Sequence, residues 1–358
     1  MPAFNSTAAR LGPVWLAPGI STRNGLTFLY AAFFAIGLVS FMSFMQPYLL
    51  RENLQMPFEE HGRATAILSF SFGATVFLLV ASFGALSDKI GRRPIFALGF
   101  LWLGVALGLY PLTENLIQLA LCQIFFAIGS AMLTGMMATV LADYPQERSR
   151  GLMVALSGIA NGLGAMTCVL LLSRLPLMFA DMGYSTLISG RLTYWTGTLL
   201  CFISAIVVSR RLKGGKPGKS LQRLRLTRLL RDGARVARTN PRVLVAYLES
   251  FVARGDLMLI STFFALWASQ AGVASGLTLG EATRKAGLFM AIIQGASLIW
   301  APLWGFILDR IDRLTAVAIA MGISGTAYLW AGFSSSPIAV SFIPVAVLLG
   351  IGEFSGIL

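Results

Sequence analysis

Four charged residues interrupt otherwise apolar stretches in the last third of the chain: Glu249, Arg254, Asp256 and Glu353. A carboxylate removed from water holds a proton when alone and releases it when a guanidinium comes near. That is chemistry for capturing and handing on protons. Counted from Val243 at a helical rise of 1.5 Å per residue, Glu249 lies about 9 Å into its helix and Arg254 and Asp256 about 17–20 Å. Glu249 and Asp256 are seven apart and share one face. Arg254 is turned about 200° from Asp256 and needs a carboxylate from another helix, for which Glu353 is the candidate. The competing reading is a static buried ion pair that fixes packing. Gln46, beside Pro47, with Gln123, Asn161 and Gln294, adds uncharged polar groups that suit a cavity lining. Such amides also serve as hydrogen-bonded glue between helices. Trp300 and Trp304 read more readily as anchors or core than as lining.

The elements that hold these groups follow from charge patterning. Of 358 residues, 56% are hydrophobic and 12% charged, and the mean hydropathy is +0.75. A soluble domain carries about 25% charged residues. No charge occurs between Arg23 and Arg51, or from Ala64 to Ser87, Pro94 to Thr113, Asn115 to Ala142, Gly151 to Ser173 and Leu192 to Ser209. About 20 apolar residues cross the hydrocarbon as a helix. Lipid admits only helices and closed barrels, and barrel strands would alternate polar with apolar residues. A seventh helix is expected over about Val243 to Ala268 and an eighth over about Ala286 to Leu308. The stretch Leu314 to Gly352 is too long for one crossing, and Ser334 to Pro337 divides it into a ninth and a tenth. The expectation is an all-α polytopic membrane protein. Its parts are an N-terminal segment (1–23), a six-helix half (24–209), a basic linker (210–242) and a second half (243–358).

With the N-terminus in the cytoplasm, 21 of the 28 Lys and Arg residues fall on the cytoplasmic side and six on the other, with Arg254 inside a helix. This asymmetry predicts a plasma-membrane or bacterial inner-membrane protein whose basic loops face an anionic inner leaflet. The net charge of +13 therefore points to lipid and not to nucleic acid. Between Arg210 and Arg242, Leu221, Leu224, Leu229 and Val236 recur among arginines, as in a basic helix lying on the membrane. The first apolar run is too long for a signal peptide and reads as an uncleaved helix. Cys122, Cys168 and Cys201 lie in apolar runs as small hydrophobes. His61 falls in a loop, where solvation is the plain reading and pH sensing the sharper one.

Two loops repeat a pattern. Gly84, Asp88, Lys89, Gly91, Arg92 and Arg93 follow the second helix; Gly305, Asp309, Arg310 and Arg313 follow the eighth, with Asp312 in the place of the second glycine. Six helices separate equivalent points, so both loops lie on one side, as two parallel six-helix repeats require. This arrangement resembles the major facilitator superfamily (MFS), whose signature has Gly, Asp four residues on, a basic residue, Gly and two Arg. Gln123 to Ala131, and Asp143, Pro145, Glu147, Arg148, Arg150 and Gly151 after them, are similar to that family's fourth helix and its following loop. Gln123 and Ala127 stand where the family often has Arg and Gly. Leu163 follows Gly162 where antiporters place Pro. The resemblance covers about residues 25 to 358, ten helices where the family usually has twelve.

The resemblance implies a secondary transporter, a permease that moves a small solute by alternating access and couples it to protons as symport or efflux. It implies that Asp88 contacts the neighbouring Arg and a helix N-terminus of the other half, latching the cytoplasmic side; a carboxylate is favourable there. Gly84 is expected where two helices pass closely and Gly91 at a tight turn. No Gly-rich phosphate loop, metal-ligand cluster or Gly-x-Ser-x-Gly elbow occurs, so the reading is a non-enzyme with no cofactor and no metal. The expected partners are the solute, protons and the bilayer, with no nucleic acid, and the expected state is a monomer. The alternative is a membrane receptor or scaffold that transports nothing, or an inactive transporter fragment.

Overall fold

The computed structural model describes residues 9–215, 235–241, 244–245, 259–308, 311 and 313–355. Helix α1 (Thr22–Glu52) opens on a reciprocal cap: the Ser21 hydroxyl accepts from the Asn24 amide, and Asn24 Oδ1 accepts from the Ser21 amide. There follow α2 (Phe58–Ile90), α3 (Arg92–Leu109), α4 (Leu116–Asp143), α5 (Arg150–Leu172), a short α6 (Leu175–Asp181) and α7 (Thr186–Arg211). A π-helical turn (Leu259–Phe264) leads into α8 (Ala265–Ala274), α9 (Leu279–Leu308), α10 (Arg313–Gly332) and α11 (Ile343–Ser355). Among the described residues, seven helical stretches are long and apolar enough to cross a membrane. Large apolar side chains such as Ile117, Leu199, Leu329 and Phe333 are exposed on their outsides, as lipid-facing helices require. The chain is an all-α integral membrane protein.

Three helix starts differ from the charge pattern, one of them that of α9, which begins at Leu279 and not near Ala286, so Arg284 and Lys285 lie inside it. Helix α2 begins at Phe58, not near Ala64, with Glu59 and Glu60 in its first turn, where acidic residues are favourable. His61 is therefore a helical residue and fully buried, not a solvated loop residue. Helix α7 begins at Thr186, so Arg191 lies inside it. A charge-free run marks where hydrocarbon begins, and these helices continue past it.

Close packing carries the bundle, because lipid removes the hydrophobic drive between helices. Helix α1 packs on α5, α2 on α4, α3 on α4 and α7, and α9 on α11. At the α1–α5 crossing a Cβ on Gly164 would strike the carbonyl of Phe33, and one on Gly37 would lie 2.7 Å from the carbonyl oxygen of Gly164. The expected close approach at Gly84 is absent: a Cβ there would meet nothing within 4 Å among the described residues. Gly135 of α4 makes that approach instead, since a Cβ on it would lie 3.2 Å from the carbonyl oxygen of Val80.

The N-terminal segment is folded onto the α4–α5 loop. Strands β1 (Arg10–Leu11) and β2 (Val14–Trp15) pair antiparallel, with Val14 and Leu16 fully buried. The Trp15 carbonyl accepts from the Gln146 amide at 2.8 Å, and the Trp15 amide donates to Ser149 Oγ at 3.0 Å. The indole is sandwiched between Arg10 and Arg148, 3.2 and 3.9 Å from its centroid. The Tyr144 hydroxyl accepts from the Lys213 amide at 3.3 Å, and burial pushes it up to about 12. A cation–π contact at an exposed site is worth about 0.5–1 kcal/mol, so two together hold the strap by a factor of about ten. Trp15→Ala is therefore expected to speed tryptic cleavage after Arg10 and Arg23 about tenfold, read by limited proteolysis and mass spectrometry. Unchanged cleavage would show that the indole does not hold the strap.

The helices after residue 259 meet the first seven through α1, α2, α5 and α6. At the end away from the basic loops, Gln270 Nε2 of α8 donates to the Phe58 carbonyl at 3.1 Å, and Gly280 faces Leu177. Midway along α5, Gly162 abuts Leu298 of α9. Nearer the basic loops, a Cβ on Gly158 or Gly151 of α5 would meet nothing within 4 Å among the described residues.

Candidate functional site

Helices α9 and α11 come together on small residues, since a Cβ on Gly350 would strike the carbonyl of Ile293. That closeness brings Glu353 beside Gln294. Glu353 is buried, and Gln294 Nε2 donates to both its oxygens, at 3.1 and 3.2 Å. Ser297, one turn along α9, donates to the Gly350 carbonyl at 2.7 Å and stands 3.5 Å from Glu353 Oε2. Trp300 Nε1 donates to Ser355 Oγ at 2.9 Å. The result is a polar ladder across an otherwise apolar interface, centred on one carboxylate. Buried polar atoms are costly unless bonded, and a carboxylate supplied with amide donors can carry charge that an apolar site cannot. Sequence reading singled out Glu353 and Gln294 separately; it missed Ser297 and Ser355, whose spacing of one turn from Gln294 and two residues from Glu353 was the available signal.

The other candidates scatter. Gln46 is buried and donates to Thr65 Oγ1 of α2 at 3.2 Å, which makes it a bridge between α1 and α2. Gln123 is buried in α4 with its Oε1 unpartnered among the described residues, as is Asn161 Oδ1 in α5. Only Gln294 of the four reaches a charged candidate among the described residues. Trp304 is buried and stacks on Trp300 with centroids 6.0 Å apart, a core arrangement. Glu249, Arg254 and Asp256 lie outside the described residues. The groove along Ile292, Gly295, Ala296, Ile299 and Trp300 of α9, facing Val347 and Ile351 of α11, is lined almost wholly by apolar surface.

The basic loop is an ionic cluster. Arg92 Nη1 lies 2.6 Å from Asp88, and Arg92 Nε lies 3.0 Å from Asp143 at the end of α4. Arg92 also donates to Ser87 Oγ, which donates to the Gly84 carbonyl at 2.7 Å. Asp88 and Asp143 are half exposed, so water and salt screen these pairs, and they position the loop more than they stabilise it. Gly91 takes φ +102° to turn from α2 into α3, and a Cβ on it would lie 2.8 Å from the carbonyl oxygen of Gly215. Arg93 flanks Gly214, and Lys89 is exposed. In the second copy Gly305 lies in α9 and Arg313 opens α10, while Asp309 and Arg310 lie outside the described residues. Asp143 as second partner of Arg92 was not anticipated, although it opens the loop segment already singled out.

Comparisons with known proteins agree with this architecture. The chain is 27% identical over 315 residues to the magnetosome protein MamZ of Paramagnetospirillum magneticum, covering 86% of this chain and 48% of that protein. It is 20% identical over 317 residues to the magnetosome protein MamH of the same organism, covering 86% of this chain and 70% of that one. It thus spans about half the length of MamZ. The crystal structure of the nucleoside transporter NupG shares the fold, with a TM-score of 0.68 at 14% identity, covering 93% of this chain and 78% of that one. The model of the Major Facilitator Superfamily matches residues 27–357, and with the membrane helices and the basic signature loop already in place, the chain belongs to that superfamily.

Proposed function

We propose that this chain is the membrane-transport unit of a secondary active transporter, moving a small solute by alternating access and coupling it to protons. The observation that carries this reading is the buried Glu353, held by Gln294 at an interface otherwise apolar. Intramembrane carboxylates are costly and mark proton or substrate paths. Close contact along α5 at Gly162, with no neighbour to a Cβ at Gly158 or Gly151 among the described residues, supports a rocking pair of halves. The halves are residues 24–209 and 243–358, joined by the 210–242 linker. The basic end faces the cytoplasm, on the strength of the Lys and Arg asymmetry. The signature loop is the inner latch, its Asp88 meeting the second half when the basic end closes. Arg254 and Asp256 complete the coupling set with Glu353, and Glu249 is its shallower member.

A second point concerns the membrane. The likeness to MamZ and MamH over 86% of the chain supports a magnetosome membrane as the site of action, beside the cell membrane. A fluorescent fusion viewed against membrane markers decides between them.

The test of transport uses the purified chain in proteoliposomes with a pH-sensitive dye inside. Pools of small solutes are added under an imposed proton gradient. The expected result is proton movement with one pool and none without solute. Saturable binding of a solute with no flux of protons or solute would favour a receptor or scaffold.

A further inference from the structure

His61 is the single histidine of the chain. It sits in the first turn of α2, fully buried, at the place where the first half touches the second on the outer side. Its Nε2 lies 3.1 Å from the Met56 carbonyl, which can only accept, so Nε2 carries the hydrogen of the neutral ring. Nδ1 is buried and has no partner among the described residues. The ring meets Phe58 edge to face, with centroids 5.0 Å apart, and the Arg51 guanidinium covers Phe58 at 4.8 Å. The Phe58 carbonyl is the acceptor of the Gln270 bond between the halves. The charged groups facing the imidazole are Arg51 at the end of α1 and Glu59 on its own helix; α8 presents the uncharged Gln270.

We propose that His61 is a proton-binding site whose occupation releases the outer contact between the two halves. The next proton must go to Nδ1, the one ring position able to take it. That puts a new donor and a positive charge into a closed pocket beside Arg51, with no acceptor on that side among the described residues. The turn from Met56 to His61 relieves this by swinging toward water, and the Phe58 carbonyl leaves Gln270 with it. Acid on the outer side thus opens the outer gate, and the carboxylate site then loads from the proton-rich side. This rests on the alternating-access reading above.

The test measures distance and needs no known solute. Spin labels are placed at Gln55→Cys and Ser275→Cys, both exposed outer positions, with the three native cysteines replaced. The interval from about pH 7.5 to about pH 5 brackets the ordinary imidazole value near 6.5. Over it, the long-distance population is expected to rise at least about threefold with His61 present and to stay flat in His61→Gln. Gln keeps a donor near the Nε2 position and cannot titrate. Carbon-13 NMR of the lone histidine in the otherwise unaltered chain covers the case where His61→Gln fails to fold: the ring should gain its second proton in step with the distance change. An identical pH response in both chains, or a ring that stays neutral through the interval, overturns the proposal. Labels that separate with a solute pool but ignore His61 count against this site alone. Labels that never separate under any condition count against alternating access and this site together.

Discussion

Glu353→Gln is expected to abolish proton-driven accumulation, by at least about tenfold, while solute exchange down its own gradient continues. The substitution keeps shape and volume. The Gln294 amide still finds an oxygen acceptor, and the Ser297–Gly350 and Trp300–Ser355 bonds do not involve the lost charge. What disappears is a group that can be anionic in one state of the cycle and neutral in another, and only such a group can tie proton movement to rocking. Counterflow in proteoliposomes reads the exchange, and accumulation under an imposed proton gradient reads the coupling. The two must separate. If Glu353→Gln accumulates solute as well as the unaltered chain does, the carboxylate is a packing element of the α9–α11 interface and the coupling lies elsewhere. Loss of both activities in a correctly inserted protein would instead mark it as part of the solute site.

Why the sequence revealed Glu353 but not its setting is a matter of range. A charge in an apolar run is visible in one dimension because its burial is improbable without a role. Its partner on α9 is 59 residues away, and nothing local encodes that meeting except the glycine at 350 that lets the helices close. The order of the crossings was likewise legible, because lipid imposes a length. Their ends were not: Phe58 to Arg63 is polar enough to read as loop, yet it is helical, with His61 buried and its ring against Phe58. The two-residue strands of the N-terminal strap carry no periodicity to detect. Gly84 drew attention as part of a motif, while Gly135, in no motif, makes the actual contact. Glu249, Arg254 and Asp256, on the crossing expected over about Val243 to Ala268, lie outside the described residues, so their part in the coupling set rests on depth and spacing.

The rigidity of the first half offers a test within a single helix. Gly164→Ala is expected to destabilise the protein by more than about 2 kcal/mol, whereas Gly158→Ala should be neutral or slightly stabilising. Both changes replace Gly by Ala inside α5, so both gain the same helix propensity, about 1 kcal/mol. They differ only in what the new methyl meets. At 158 it meets nothing within 4 Å among the described residues; at 164 it strikes the carbonyl of Phe33, a backbone atom with no rotamer to move. Relief requires α1 and α5 to separate along the crossing where Gly37 faces the carbonyl of Gly164, and that undoes the tightest contact in the half. Thermal stability of the detergent-solubilised protein, read by fluorescence-detected gel filtration, compares the pair directly. Equal melting temperatures would mean that the crossing yields easily. A crossing that yields easily could not keep the first half a single body while the second rocks against it, so the same measurement bears on alternating access from the side of stability.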